Sequence, residues 1–447
     1  MIKRELSKTI VKYIELNKGH KNVLIIDGVR QTGKTTIVQS ALIGHKAPFL
    51  EINLEKQKSV RALIDQTSQF SEFEFLLKRD FGFEPSKGTI LFIDEANESL
   101  KLGQYVRQMK EDWRDQTVIL TGSMMQRLFR DPEMRIPVGR FETLTVQPFS
   151  FSEFLLANEK TSSSIQKYGL HDLVNNPDAV KKISTQDHQV LLSLMDHYLT
   201  CGGLPEIVLK YLDSSGEVQI KNLHVEYLET LKDDFLKLFS VEYANLFDRA
   251  IYSVSNLLAQ PYKKTAMIQN NNKLADNILS VFEKWKVIIK VEQRTHKPTA
   301  SNSFYPKRYL FDNGISKTKR EMGLPPIQLL HTLNSAQREP LGGLIEQMVC
   351  HELFLVFRDL CGFREKNYEI DFVTKTREQV IPIECKASLK PNQNQYRGLD
   401  LYNRDYKNKK AVLVSLAPYS DVTRDGYTIL HVPAYALGCL NHLIFDK

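Results

Sequence analysis

Cysteine is scarce and scattered. The chain of 447 residues has five, Cys201, Cys350, Cys361, Cys385 and Cys439. An odd number without CxxC spacing argues against both a disulfide framework and a zinc site. Long apolar runs are also missing: none approaches the length that spans a bilayer, so no membrane partner is expected. The opening MIKRELSKTIVKYIEL reads as an amphipathic, charged helix rather than a signal peptide. Internal repeats and low-complexity tracts are lacking as well, which excludes a solenoid. A soluble, cytoplasmic protein in a reducing compartment fits these absences.

What is present suffices for two to four domains, each long enough to bury its own core. The net charge of +7 is unevenly spread, because residues 263–320 hold 13 Lys and Arg against four Asp and Glu. The basic character therefore belongs to one segment. An anionic partner such as DNA, or simply a solvated lysine-rich surface, accounts for it.

Apolar strands alternate with helical stretches through residues 1–155: VLIID (23–27), FLEIN (49–53), TILFID (89–94), TVILTG (117–122) and ETLTV (142–146). Such spacing predicts an α/β domain with a parallel sheet covered on both faces. From 156 to about 240 the apolar spacing is helical, as expected of a lid or bundle, and the turn CGGLPE (201–206) breaks it. Residues 241–320 run helix, polar turn, helix, strand, loop and strand, the order of a winged helix. After MGLPP (322–326), residues 327–447 combine a long helix near 342–360 with strands at 368–373, 379–386, 411–415 and 427–431, a second α/β domain.

GVRQTGKTT (28–36) matches GxxxxGK[ST] between an apolar strand and a helix, where a phosphate-binding loop must sit. Gly28 and Gly33 let backbone N–H groups curl around phosphates, Lys34 reaches the β- and γ-phosphates, and the Thr35 hydroxyl is a Mg²⁺ ligand. Thr36 completes the nucleotide-binding set, packing or capping the helix start. In TILFIDEA a buried strand ends in Asp94, placed to hold the metal, and Glu95, placed to activate the attacking water. ATP and Mg²⁺ are the expected cofactors. Thr121 or Ser123 in TVILTGS is placed to sense the γ-phosphate, against ordinary strand-end capping. Arg140 in PVGRFETL is a candidate arginine finger, against a structural ion pair, with Arg127, Arg130 and Arg135 competing. A finger acting in trans would demand a homo-oligomer.

Taken in order, GVRQTGKTT, LFIDEA, LTGS, GRFETLTVQPFSFSEF and YLTCGGLPEIV resemble a prokaryotic family of two-part AAA+ ATPases whose carboxy-terminal half is a domain of unknown function. The resemblance implies a P-loop AAA+ sheet with a helical lid, a winged helix and a restriction-endonuclease-like α/β end.

In YEIDFV, Tyr368, Ile370 and Phe372 share one face and leave Asp371 on the other. In VIPIECKA, Glu384 and Lys386 project opposite Ile381, Ile383 and Cys385. This arrangement resembles the PD-(D/E)xK nuclease motif, in which two carboxylates bind Mg²⁺ and the lysine activates water. Ile370 stands where the motif has proline. Helical phase makes Gln347, His351 and Arg358 the wet face of the preceding helix, with Glu346 and Glu352 both flanking its apolar side. Only the match to the family pattern prefers Glu346 as a third metal ligand.

In the basic middle, Lys273 and Asn277 face a DNA groove in a winged-helix arrangement, while Arg294, His296, Lys297, Lys307 and Arg308 line the wing to neutralise phosphates. The leading expectation is an ATPase that engages DNA and cleaves or processes it at the carboxy-terminal site. The alternative is a regulatory ATPase whose last two domains are non-catalytic interaction modules.

Overall fold

The central amino-terminal strands VLIID, ILFID and VILT are apolar on both faces, and their burial follows from that. A computed structural model describes residues 2, 4–16, 23–85, 87–113, 115–125, 141–161, 169–213, 217–295, 304–320, 325–357, 359–375 and 379–445. The chain folds as two compact units, Met1–Gln147 with Lys284–Lys286, and Pro148–Glu283 with Val287–Lys447. Among the described residues, the first unit pairs Val23–Asp27 (β1), Phe49–Asn53 (β2), Ile90–Asp94 (β3), Val118–Thr121 (β4) and Phe141–Thr145 (β5) in the order β2-β3-β4-β1-β5. Every pairing is parallel.

Successive residues in these strands point to opposite faces and feed separate cores. Val23, Ile25, Leu91, Ile93, Val118 and Leu120 join Phe73, Tyr105 and Trp113 on one side. Leu24, Ile26, Phe92 and Ile119 join residues of Glu5–Leu16 (α1) and Lys34–His45 (α2) on the other. The strand carboxyl ends are thereby lined up along one edge, where open α/β sheets bind ligands.

The second unit begins with helices, among them Phe151–Thr161, Thr185–Cys201, Glu217–Leu236 and Ala244–Asn256. The turn at Gly202 and Gly203 is a packing knot. Gly202 has φ +74° and a Cβ there would lie 2.1 Å from Asp312 Oδ1, so only glycine fits. Gly203 donates its N–H to Asp312 Oδ2 at 2.7 Å, and its carbonyl accepts from Phe149 at 2.6 Å. The break in helical pattern is thus a contact between distant segments of the unit.

Helix Asn272–Lys284 leads into Ile288–Val291 (β6), which pairs antiparallel with Lys307–Leu310 (β8). The intervening Gln293–Arg294 (β7) joins a larger sheet instead. That sheet contains Leu360–Arg364 (β9), Glu369–Lys375 (β10), Val380–Lys386 (β11), Lys410–Ser415 (β12), Ser420–Arg424 (β13) and Tyr427–Pro433 (β14), ordered β13-β14-β12-β11-β10-β9-β7 among the described residues. β9 and β13 were not expected from the sequence pattern.

The long helix runs Ser335–Val356, earlier than its apolar spacing indicated, with an Asn334–Gln337 capping box fixing its start. Its expected wet face is corrected at two positions. Gln347 is buried, bonded to Ser316, the Asp312 carbonyl and Asn313. His351 is also buried, on the Leu310 carbonyl at 2.7 Å. Polar residues face inward there because the neighbouring segments present backbone and amide groups that need partners. Arg358 lies outside the described residues.

Candidate functional site

At the end of β1 the chain enters a loop that only glycine can begin. Gly28 has φ +147°, and a Cβ there would meet the Val146 carbonyl oxygen at 2.3 Å. The loop closes at Gly33, left-handed at φ +83°, and α2 starts at Lys34. Helix amino-terminal N–H groups without intrahelical partners make such a position a ready anion site. The loop is braced by Arg4, whose guanidinium donates to the Thr32 and Gln147 carbonyls at 2.9 Å each.

Lys34 is buried, and its ammonium donates to the Gly28 and Val29 carbonyls at 3.1 and 2.9 Å. Burial pushes it below the usual lysine value, while the carboxylates of Glu95, Asp94 and Asp27 hold it up. Beside it, Thr35 donates its hydroxyl to Asp94 Oδ1 and Oδ2 at 3.0 and 2.9 Å. Asn53 donates to Asp94 Oδ2 at 2.7 Å, and Thr121 also bonds this carboxylate. These three partners are neutral donors. A threonine hydroxyl against a buried carboxylate is a hard-oxygen pair suited to Mg²⁺, so the residues present fit Mg²⁺·ATP.

Glu95, the next residue, has φ +50° and leaves the strand sharply. Burial raises its carboxyl above the usual glutamate value, against the opposing pull of Lys34. Thr36 is exposed on α2, and Ser123 is half-buried two residues beyond Thr121. Arg140, with Arg127, Arg130 and Arg135, lies outside the described residues. Sequence reasoning missed Asn53 and Arg4. Asn53 had a signal, since it ends a strand as Asp94 does, and the two are register partners on adjacent strands.

In the second unit β10 and β11 bring Asp371, Glu384 and Lys386 together, and helix Ser335–Val356 adds Glu346. The Cys385 N–H donates to Asp371 Oδ2 at 2.9 Å, while Lys386 lies 2.5 Å from Glu384 Oε1 and 3.9 Å from Asp371 Oδ2. Asp371 sits where the β9–β10 register shifts, between Ile370 and Val373.

The unexpected member is Lys307. Its ammonium, 1% exposed, stands 3.0 Å from Glu346, 2.7 Å from Glu369 and 2.9 Å from Asp371. Tyr309, two residues on and on the same face of β8, donates to Glu346 Oε1 at 2.6 Å. Burial works against the Lys307 charge, but Asp371, Glu346 and Glu369 outweigh it and raise its pKa. Burial also drives Glu346 to about 7, with Asp371 adding to the rise, and Glu384 to about 8. Asp371 is held below the usual value, burial notwithstanding, by Lys307 and Lys386.

A metal does not fit this cluster as it stands. The facing oxygens of Glu346 and Asp371 already accept from an ammonium, and no group of three or more His, Cys, Asp or Glu side chains able to hold a metal ion occurs among the described residues.

Two assignments in the basic middle are corrected. Lys307 does not line a wing, and Arg308 is buried against Glu283 at 2.9 Å, with its guanidinium over the Tyr262 ring. Neither is available to a phosphate, because β8 packs into the unit on both faces. Arg294 is exposed, 3.4 Å from Asp359, and Lys273 and Asn277 are exposed. His296 and Lys297 lie outside the described residues. No helix among the described residues is long and apolar enough to cross a membrane.

Residues 20–155 match a family model described as an AAA domain. Residues 192–323 and 341–435 match two models described as domains of unknown function, DUF8612 and DUF4143. An uncharacterized protein of Methanocaldococcus jannaschii is 23% identical over 431 residues, covering 92% of this chain and 84% of that protein. Among solved structures, the Thermotoga maritima RuvB Holliday junction branch migration motor is similar at 15% identity, over 65% of this chain and 90% of that one, with a TM-score of 0.30. C. elegans PCH-2 is similar at 15% identity, over 52% and 70%, with a TM-score of 0.31. Loop, sheet and family match agree on a P-loop fold for the described part of residues 20–155, which is similar to AAA domains.

Proposed function

We propose that this chain hydrolyses ATP with Mg²⁺ and uses the nucleotide cycle to regulate what its carboxy-terminal unit binds. The observation that carries the reading is the convergence of Thr35, Asn53 and Thr121 on Asp94, beside Lys34 and Glu95 at the carboxyl edge of the sheet. Thr35 and Asp94 would hold Mg²⁺, which when bound offsets charge on the β- and γ-phosphates. Lys34, buried among backbone carbonyls, supplies fixed positive charge at the loop. Glu95 accepts a proton from water, its raised pKa bringing it closer to a useful base. Thr121 or Ser123 is the proposed sensor of the terminal phosphate, and Arg140 is the proposed finger, acting within the chain or across a homo-oligomer.

DNA is the proposed anionic partner, through residues 263–320. The exposed Lys273 and Arg294 support it, whereas Lys307 and Arg308 no longer do. Cleavage would require metal on Asp371, Glu384 and Glu346 with Lys386 as the water-activating base. One observation favours the non-catalytic reading of that domain: the Lys307 ammonium lies among those carboxylates.

ATP turnover by the purified chain, compared with Lys34→Ala and Glu95→Gln, tests the central claim. Equal turnover in all three contradicts it.

A further inference from the structure

The carboxylate cluster has the residue types of a metal site but is arranged around a lysine. An ammonium has three N–H donors, and Lys307 has three carboxylate neighbours, Glu346, Glu369 and Asp371, at 2.7–3.0 Å. The remaining partners are also internal. Tyr309 bonds Glu346, the Cys385 N–H bonds Asp371 Oδ2, and Lys386 takes Glu384 Oε1. Among the atoms of this cluster, Glu384 Oε2 is buried without a hydrogen-bond partner, and one oxygen does not make a site for an ion that takes about six.

We propose that Lys307 is a resident cation that takes the place of a divalent metal, so that the nuclease-like carboxylates Glu346 and Asp371 are closed to Mg²⁺ and Mn²⁺ in the native chain. The reason is electrostatic and steric together. A metal entering between Glu346 and Asp371 would have to displace a buried ammonium from three carboxylates, and the displaced charge would then be stranded in the interior. The cation also comes from outside the sheet: β8 belongs to the preceding hairpin, so the cluster pins hairpin, helix and sheet to one another. Glu346 and Asp371 are in this view structural counter-ions, and Lys386 has no metal-bound water to act upon.

Mn²⁺ binding to the nucleotide-free full chain tests this, read from the loss of the free-ion electron paramagnetic resonance signal. Asp94→Asn is included in every protein to silence the phosphate site. The chain retaining Lys307 should bind no Mn²⁺. Adding Lys307→Gln should create a site for one equivalent, removed again by Asp371→Asn. An equivalent already bound with Lys307 present, and lost in Asp371→Asn, overturns the proposal. A folded Lys307→Gln chain that binds no Mn²⁺ also overturns it, since something other than the lysine then keeps metal out. If Lys307→Gln fails the folding check by circular dichroism, the Lys307-containing chain decides with and without Asp371→Asn. ATP turnover is independent of all these readouts, so a failure here is distinguishable from a failure of the ATPase reading.

Discussion

Among the described residues, Lys34 and Lys307 are each buried beside carboxylates, and the two sites are built for opposite ends. At the phosphate loop, Lys34 is held by the carbonyls of Gly28 and Val29, while Asp94 is held by two hydroxyls and an amide. Each charge is oriented by neutral groups and remains free to act on a ligand of opposite sign. At the carboxy-terminal cluster, Lys307 is surrounded by Glu346, Glu369 and Asp371. There the charges satisfy one another. The kind of partner, more than the residue inventory, separates a ligand site from a structural ion cluster.

The comparison is tested most strongly at the first site. Lys34→Ala should lower ATP turnover by about 100-fold or more, the scale of losing a preorganised charge on developing negative oxygen. Phosphate release assays would show it, and a loss under tenfold would mean that Lys34 is not so used. Glu95→Gln should reduce kcat by about 100-fold or more while nucleotide binding persists. Because burial raises the Glu95 carboxyl above its usual 4.5, and a base must be deprotonated, wild-type kcat should fall as pH drops through a value above that figure. An acid limb unchanged in Glu95→Gln would remove Glu95 from the role.

At the second site the readout is stability. Lys307→Met removes the partner of buried carboxylates and should destabilise the second unit by about 3–5 kcal/mol, measured as a lower urea midpoint. A neutral result would mean that the cluster contributes little as an ion network. Smaller effects follow from the buried carboxyls. Burial raises Glu352, which accepts from the Phe151 N–H, to about 7. The folded chain therefore binds more protons than the unfolded one between the usual glutamate value and 7. Stability from this group is full below that window and lost as pH rises through 7, on the order of 3 kcal/mol. Urea midpoints at pH 5.5 and 8 should differ in that sense, and Glu352→Gln should flatten the difference. The least effect is expected at the surface: Arg294→Ala should reduce the salt dependence of DNA binding by about one phosphate contact, a log–log slope change near 0.9. An unchanged slope would take the β7 segment out of the interface.

The first unit was legible because its signals are local. Strand, glycine loop and helix follow one another within a dozen residues, and Asp94 ends an apolar strand of its own. Asn53 escaped notice because its role depends on β2 lying beside β3, a pairing between residues far apart in sequence. In the carboxy-terminal unit, alternation placed Asp371, Glu384 and Lys386 on their strands, but the helical phase that put Gln347 and His351 in water failed. Amphipathic patterning presumes that polar groups face solvent, and here they face backbone carbonyls and amides of neighbouring segments.

The amino-acid sequence by itself determined the phosphate loop, because backbone freedom at Gly28 and Gly33 and the charge at Lys34 are properties of a few contiguous residues. It also determined which strands could carry carboxylates at the carboxy-terminal site. Only the tertiary structure decided what those carboxylates meet. Lys307, separated from Asp371 by 64 residues, reaches them because β8 packs under the same helix. Charge composition cannot foretell such a meeting, since an ion pair depends on distance and burial while sequence records only order.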